Sequence, residues 1–407
     1  MFIPVLLLAL AVLSAGVVAY GTNAIWAQYP HGLSIIIWSH RLQWPLIVFS
    51  LLLCLALLAM IASGKRRAWW LIGLGPVLAL FVHHFITNPQ GGLSVVENPQ
   101  FVSTADASFL SDQDYVVGVQ FGETAYAYPY QTLYNHPIVI QNDRDKRMLL
   151  LWSAFANRAV AQTVAHDVRA RNLEPVSMPA NALLVYDRAY GQFINGVTGR
   201  LMNGEKPTGF DQPLIVSTGP WKQWRDLNPG GRVMQPPPRT ERDALAPSSP
   251  IQPAYPMPPA ILDYPAKSRI VLVGTSQPTA LKAEQISDEP LRVTVDGGPA
   301  FVFRENPDAP VRAFSCFLRK QGLFPTFRLD HDHKIKGSVF IDSDTGSSWS
   351  AAGQYVGGLK EYRKELQGTR LTPLPVQDNL YWGVMKYWYP ELQLHDSGDA
   401  KSATAAS

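Results

Sequence analysis

Three uncharged apolar runs crowd the first 86 residues, and no ordinary globular core absorbs runs of that length. They read "FIPVLLLALAVLSAGVVAY" (Phe2 to Tyr20), "LQWPLIVFSLLLCLALLAMIA" (Leu42 to Ala62) and "AWWLIGLGPVLALFVHHFI" (Ala68 to Ile86). Each matches the roughly 20 residues a helix needs to cross a bilayer core. Hydrocarbon offers the backbone no hydrogen-bond partners, so such runs must close their own bonds as helices. Residues 1–86 are therefore expected to form a membrane anchor of three transmembrane helices, about 2–20, 42–62 and 68–86. Trp69 and Trp70 stand at one end of the third run, where an aromatic belt lies.

Orientation follows from charge. "SGKRRA", between the second and third runs, is the only dense basic loop nearby, and the positive-inside rule puts Lys65, Arg66 and Arg67 in the cytoplasm. The N-terminus is then cytoplasmic, and the third run delivers everything from Thr87 onward to the far side. The expected location is the plasma (inner) membrane, multi-pass, with a large extracytoplasmic C-terminal region and the lipid bilayer as partner. Small residues near Ala24 leave open a cleaved signal peptide for the first run, although its leading end lacks the usual Lys or Arg. No Cys follows an apolar leader, which argues against a lipoprotein anchor.

A formal charge of only +3 over 407 residues gives no reason to expect nucleic acid as a partner, since that usually needs a clustered basic face. The two cysteines, Cys54 inside an apolar run and Cys316, assemble neither a disulfide framework nor a thiol metal site. Scarce thiols are compatible with an oxidising compartment.

Beyond Thr87 the chain reads as β-rich. "YVVGVQF", "PIVIQ", "MLLLWSAF", "ALLVYD", "RIVLVG", "LRVTV", "AFVFR" and "GSVFID" are rich in β-branched and aromatic residues, and Gly, Pro, Asn or Asp bound most of them. The best helical period is in "ANRAVAQTVAHDVRAR" (Ala156 to Arg171), with Val160, Val164 and Val168 on one face. "YWGVMKYWYPEL" suggests a short helical turn stopped by Pro390. Nine of the twenty-five residues from Gln235 to Pro259 are proline, a density that cannot pair in a sheet. The expected fold class is N-terminal transmembrane helices followed by a mainly β (β-rich α+β) region of two similar lobes. The lobes span 87–234 and 266–395, joined by a Pro-rich linker over 235–265 and followed by a disordered tail at 396–407.

The two-lobe expectation rests on a repeat. "LVYDRAYGQFINGVTGRLMNG" (Leu184 to Gly204) and "VFIDSDTGSSWSAAGQYVGG" (Val339 to Gly358) share an apolar lead-in to Asp187 or Asp342 and a closing Gly-x4-Gly. Trp221 then stands eight residues before Pro229, and Trp382 eight before Pro390. Matched order and spacing indicate a duplicated unit.

"VVGVQFGETAYAYPYQTLYNHPIVIQ", "LVYDRAYGQF" and "WKQWRDLNPGGRVM" together resemble the family known as domain of unknown function 3179. The resemblance runs from about Asp114 to Met234 and rests on Ala127, Tyr128, Pro129, His136, Ile138, Val139, Asp187 and Arg188. A weaker copy extends over about Ile270 to His395. The family usually carries Cys-Pro-Leu-Cys after its central strand. Here "LLWSAFANRA" places Ser153 and Ala156 at those positions, and "AFSCFLRK" offers only Cys316 nearby. The resemblance supplies a fold and a location, and no reaction.

Site candidates divide between chemistry and turn formation. Tyr128, His136, Asp187 and Arg188 are the binding candidates. His136, at a strand entrance, suits metal binding or proton transfer, yet equally a turn. Asp187 and Asp342 suit a general base, yet an Asp followed closely by Gly is also what a tight turn uses. "DHDHK" sets His331 and His333 on one face if the stretch is a strand, a weak metal pair without further ligands, or a polar hairpin tip. Trp221, Trp224, Trp382 and Trp388 fit a ligand groove or core plugs. No Gly-x-Ser-x-Gly, His-Glu-x-x-His, phosphate loop or dinucleotide fingerprint occurs. The sequence requires no cofactor. The expectation is a non-enzymatic extracytoplasmic binding or assembly protein, with other membrane or envelope proteins as partners. The alternative is a metal-handling or enzymatic protein with a site around His136.

Overall fold

In the computed structural model the described residues are 2–21, 25, 29, 31–64, 68–238, 244–254, 256–257, 262–275, 278–286, 289–306, 309–317, 325–332, 335–358 and 366–395. Lys65, Arg66 and Arg67, His333 and the tail 396–407 lie outside them.

Three helices, α1 (Phe2–Gly21), α2 (Gly32–Ala62) and a third continuing a 3-10 turn (Ala68–Gly73) into α3 (Leu74–Thr87), are long and apolar enough to cross a membrane. Small residues and hydroxyls knit them together. Ser39 donates to Val17 O at 2.8 Å and Ser50 to Ala11 O at 3.0 Å, and Gly21 admits Ser39 where any side chain would collide. His84 meets the Gln43 side chain at 3.2 Å, and the His83 ring lies 5.8 Å from that of Tyr20. The second helix begins ten residues before the apolar run at Leu42. Its 31 residues span about 46 Å, against the ~30 Å of a hydrocarbon core.

The rest of the chain is β-rich. Short strands β1 (Val95–Glu97) and β2 (Phe101–Ser103) precede the hairpin β3 (Tyr115–Phe121) and β4 (Thr124–Pro129). After the single turn α4 (Tyr130–Leu133) come β5 (Ile138–Asp143), β6 (Lys146–Ser153) and β7 (Arg158–Val164), an antiparallel meander. Then follow β8 (Leu173–Ser177), β9 (Leu184–Asp187), β10 (Gln192–Asn195), β11 (Phe210–Pro213), β12 (Val216–Pro220), the helix α5 (Trp221–Leu227) and β13 (Arg232–Met234).

These strands form three layers. The sheet β12-β3-β4-β13-β2 packs through Val117, Tyr128 and Val119 onto Val139, Leu150 and Trp152 of the sheet β1-β5-β6-β7-β11. The opposite face of that middle sheet, with Ile138, Ile140, Leu149 and Leu151, packs onto Val185 and Ile194 of the sheet β10-β9-β8 and onto Leu183 just before β9. Adjacent residues of one strand serve opposite cores, as the alternation of side chains requires. A strand covered on both faces also reads as an unbroken apolar run, which explains "MLLLW". On the outer face of the first sheet, Trp221 and Trp224 of α5 cover Val116, Ala127 and Val233.

The segment from Arg158 to Val164 is a strand, where the spacing of Val160 and Val164 had suggested a helix. Asn157 turns the chain in the left-handed region (φ 52°), and β6 on one side and β11 on the other capture the backbone. Tertiary pairing outweighs the weak helical period.

Beyond the Pro-rich segment come β14 (Arg269–Val273), β15 (Thr279–Lys282), the meander β16 (Leu291–Val295), β17 (Gly298–Phe303) and β18 (Arg312–Ser315), then β19 (Phe327–Leu329), β20 (Phe340–Asp342), β21 (Ser348–Trp349), β22 (Tyr355–Gly357), β23 (Val376–Tyr381) and the helix α6 (Trp382–Trp388). The sheet β15-β14-β23 packs through Val271, Val273 and Leu281 on Val293, Val302 and Ala313 of β16-β17-β18. The other face of that sheet, with Phe301, Phe303 and Phe314, packs on Phe327, Phe340 and Trp349 of β19-β20-β21-β22. Trp382 of α6 packs with Ile270, Leu272 and Leu380 on the outer face of the β14 sheet, together with Ala156, Ala182 and Val197 from the turns after β6, before β9 and after β10.

The described part of the Pro-rich segment is fastened along its length. Ala244 and the Asn135 side chain exchange two hydrogen bonds of 3.1 Å, Tyr115 N donates to Ser248 O at 2.7 Å, and the Trp382 indole donates to Asp263 at 3.1 Å.

Candidate functional site

The residues singled out by sequence land in different sheets. Tyr128 is a core residue of β4. Its hydroxyl donates to the Gln141 side-chain oxygen, and complete burial holds the phenol well above its ordinary pKa. His136 precedes β5, where its Nδ1 lies 2.5 Å from the Ser94 hydroxyl and its backbone N–H donates to Thr132 O. Arg188 reaches the carboxylate of Glu174 in β8. His331 occupies an exposed turn after β19, and so does not stand on a strand face. Among the described residues no three His, Cys, Asp or Glu side chains come together as a metal site.

Asp187 and Asp342 close turns in the same way. Asp187 Oδ1 accepts from Ala189 N at 2.9 Å, and Asp342 Oδ1 from Asp344 N at 3.1 Å, each two residues on. The glycine four residues after each Asp is left-handed, Gly191 at φ 63° and Gly346 at φ 62°. Burial raises the Asp187 pKa against the opposing pull of the hydrogen bonds it accepts. Trp221 and Trp382 each begin a seven-residue helix and are buried, so both are core plugs.

Cys316 follows β18, the last strand of its meander, whereas Ser153 ends β6, the middle strand of the other. The thiol is therefore not the positional counterpart of Ser153. Buried beside Phe301 and Phe314, it is pushed up to about 11, which leaves it protonated and unreactive.

A polar site that no motif announced lies where β23 runs alongside β12 and β7. Gln377 replaces a strand partner, its Nε2 donating to Ala159 O at 3.0 Å while its Oε1 accepts from Ala159 N at 3.1 Å. Asp378 is buried next to it. It accepts from the Tyr115 hydroxyl at 3.3 Å and from the Thr218 hydroxyl at 3.4 Å, and its backbone carbonyl accepts from Asn157 Nδ2 at 2.9 Å. Burial dominates these long bonds and pushes the Asp378 carboxyl up to about 6. Burial first, and then the Asp378 charge, raise the Tyr115 and Tyr130 phenols. The Tyr130 hydroxyl faces Thr218 and the Trp152 indole without hydrogen-bond geometry to either.

Two hollows flank this seam. The smaller, about 350 Å³, is lined by Thr218, Gln223 and Trp224 on one side and by Arg312, Phe314 and Val376 on the other. Burial lowers the pKa of Arg312, opposed by Glu305 at 3.6 Å. The larger is a cleft of about 930 Å³ with Arg158, Gln162, Thr198, Gly199, Arg200 and Lys206 on one wall and Gln377, Trp388, Tyr389 and Glu391 on the other. Gly199 opens the first Gly-x4-Gly at φ 67°, and a Cβ there would strike the Gln162 amide. The loop after β10 thus forms part of the cleft wall.

Sequence reasoning passed over Asp378, Gln377, Thr218, Tyr115 and Arg158. The available signal was "VQDNLY", three polar residues inside an apolar strand directly before a buried Trp, a pattern that demands partners for each buried polar group.

No curated protein matches the chain. No solved structure matches it either. One family does: the profile described as "Protein of unknown function (DUF3179)" aligns with residues 90–392, crossing the Pro-rich segment and taking in both β23 and the strands it clasps. Since that match covers most of the chain, including both hollows and the seam between them, the protein belongs to the DUF3179 family.

Proposed function

We propose that the protein is a multi-pass, membrane-anchored binding protein that takes a ligand in the 930 Å³ cleft. One observation carries this reading: the cleft is walled by β7 and the Gly199 loop on one side and by β23 and the end of α6 on the other. Ligand sites favour such junctions, because two packed units supply converging polar groups. The volume falls within the range of small-molecule and oligomer sites.

The two units are read as copies of one ancestral domain. The sheets β12-β3-β4 and β23-β14-β15 have the same strand roles, each followed by a three-stranded meander and then by a small sheet containing an Asp-x3-Gly turn. A seven-residue helix led by a buried Trp closes both. In this reading the N-terminus is cytoplasmic and the β-rich region extracytoplasmic in the inner membrane, as Lys65, Arg66 and Arg67 argue. Envelope proteins are its expected neighbours.

The test is a thermal-shift screen of the full chain in nanodiscs, repeated with Thr198→Trp to fill the cleft. A ligand at 100 times its Kd should stabilise the native protein by about 2.7 kcal/mol, and Thr198→Trp should abolish the shift. Hits that stabilise both proteins equally would overturn the cleft assignment. A reporter fused after Thr87 that is active only in the cytoplasm would overturn the orientation.

A further inference from the structure

We infer that the ligand of the large cleft is an acidic oligosaccharide, a short chain of sugar rings bearing carboxylates. This rests on the cleft reading above and adds the chemical class of what it binds.

The wall charges decide the class. Arg158, half-buried on β7, has no ion pair and no side-chain hydrogen bond among the described residues, and its Nε is shielded from solvent without an acceptor. A partly desolvated guanidinium without a carboxylate calls for an oxyanion, which its planar fork binds with two parallel bonds. Arg200, on the rim, donates to Gly204 O at 3.1 Å and presents a second cation to the same space. Lys206 stands 3.9 Å from Asp211, both largely exposed, so that pair is weak and opens readily.

The same walls carry Asp211 and Glu391. Two carboxylates among three cations repel a densely charged polyanion. They instead accept hydrogen bonds from hydroxyl groups, which a sugar supplies on every ring. Trp388 adds a flat apolar surface for a ring face, while Arg158 and Arg200 take the carboxylates. An acidic peptide would meet the cations but leave Asp211 and Glu391 facing its own charges. At about 930 Å³ the space exceeds a single ring and suits two or three.

The experiment is calorimetric titration of the full chain in nanodiscs with three probes: a uronic-acid trimer, the same trimer with its carboxylates reduced to alcohols, and an acidic hexapeptide. The uronate trimer should bind at least tenfold more tightly than the neutral trimer. Arg158→Gln, and separately Arg200→Gln on the exposed rim, should each remove most of that preference, while Lys146→Gln at a distant hairpin should not. Equal binding of the two trimers, or no binding of either, overturns the proposal. If the peptide binds instead and Thr198→Trp blocks it, the glycan assignment falls while the cleft survives. If no probe binds and Thr198→Trp leaves every thermal-shift hit intact, both readings fall together.

Discussion

Gln377 pairs with Ala159 as though its side chain were a strand: one amide group satisfies both the N–H and the C=O of a residue 218 positions earlier. Both residues are buried, so neither backbone group has water as an alternative. The side chain is therefore one of the polar links that hold β23 in place, beside the Asn157 amide on Asp378 O and the Thr218 hydroxyl on Asp378.

Replacing that amide should be costly. Gln377→Leu keeps the bulk but orphans a buried donor and a buried acceptor, at about 1–3 kcal/mol each. Urea denaturation of the full chain in detergent micelles should show a loss of about 2–5 kcal/mol, and protease sites near the seam should open. Unchanged stability would mean the pairing carries no weight.

Asp378 should make stability depend on pH. Its folded pKa, about 6, lies above the ordinary value of 3.8, so the folded state holds the proton more tightly than the unfolded chain. Stability should accordingly be greatest below about pH 4 as far as this group is concerned, fall as pH rises toward 6, and then level off. Two units correspond to roughly 3 kcal/mol as an order of magnitude. Asp378→Asn removes the charge, so it should be more stable than the native protein at pH 7.5 and lose that advantage near pH 4. A difference between the two that is flat with pH would contradict the raised pKa.

Glu174 should govern how the helices hold the sheets. Its carboxylate receives Arg188, the Gln90 side chain at 3.2 Å and His40 of α2 at 3.4 Å. Glu174→Gln weakens all three contacts. Because Arg188 is largely exposed, the loss should be modest, about 1 kcal/mol. Hydrogen exchange of the Leu173–Ser177 amides should quicken several-fold, with the β14–β18 amides as an internal control.

The turn glycines should tolerate substitution unequally. Gly191→Ala meets only the Tyr186 hydroxyl at 3.9 Å, an ordinary contact, and costs the left-handed strain of about 1–2 kcal/mol. Gly353→Ala adds a contact of 2.6 Å with the Phe314 ring, so its melting temperature should fall further. Equal losses would show that backbone strain alone sets the cost at both.

Much of the architecture was legible because it is local. Apolar β-branched runs marked β3, β5, β6, β14 and β17, and uninterrupted hydrophobicity marked the helices. The stretch after Asn157 was misread because the buried face of this strand is built from the small Ala159 and Ala161, leaving the larger Val160 and Val164 of the other face to mimic a helical stripe. Four residues beyond Asp187, and likewise beyond Asp342, the left-handed glycine identifies a turn, and spacing alone revealed it. The seam was hidden for a different reason. Nothing in "VQDNLY" names Ala159, Thr218 or Tyr115 as partners, since those contacts exist only once the chain has closed over more than 150 residues.

The length of α2 has a mechanical meaning. Its first turns do not end at the edge of an apolar layer but continue into the β8–β10 sheet, where Ile36 packs with Val176, Leu184 and Phe193 and the His40 ring stands edge-on to Tyr186. A chain joined to its anchor by a coil hangs on a leash and samples every tilt. This one is held on a bracket: with the apolar helices in a bilayer, as proposed, the packing of α2 on the β8–β10 sheet would hold the cleft at one height and heading. A ligand of the proposed cleft would then have to approach at that angle, and a push on it would be felt along the helix.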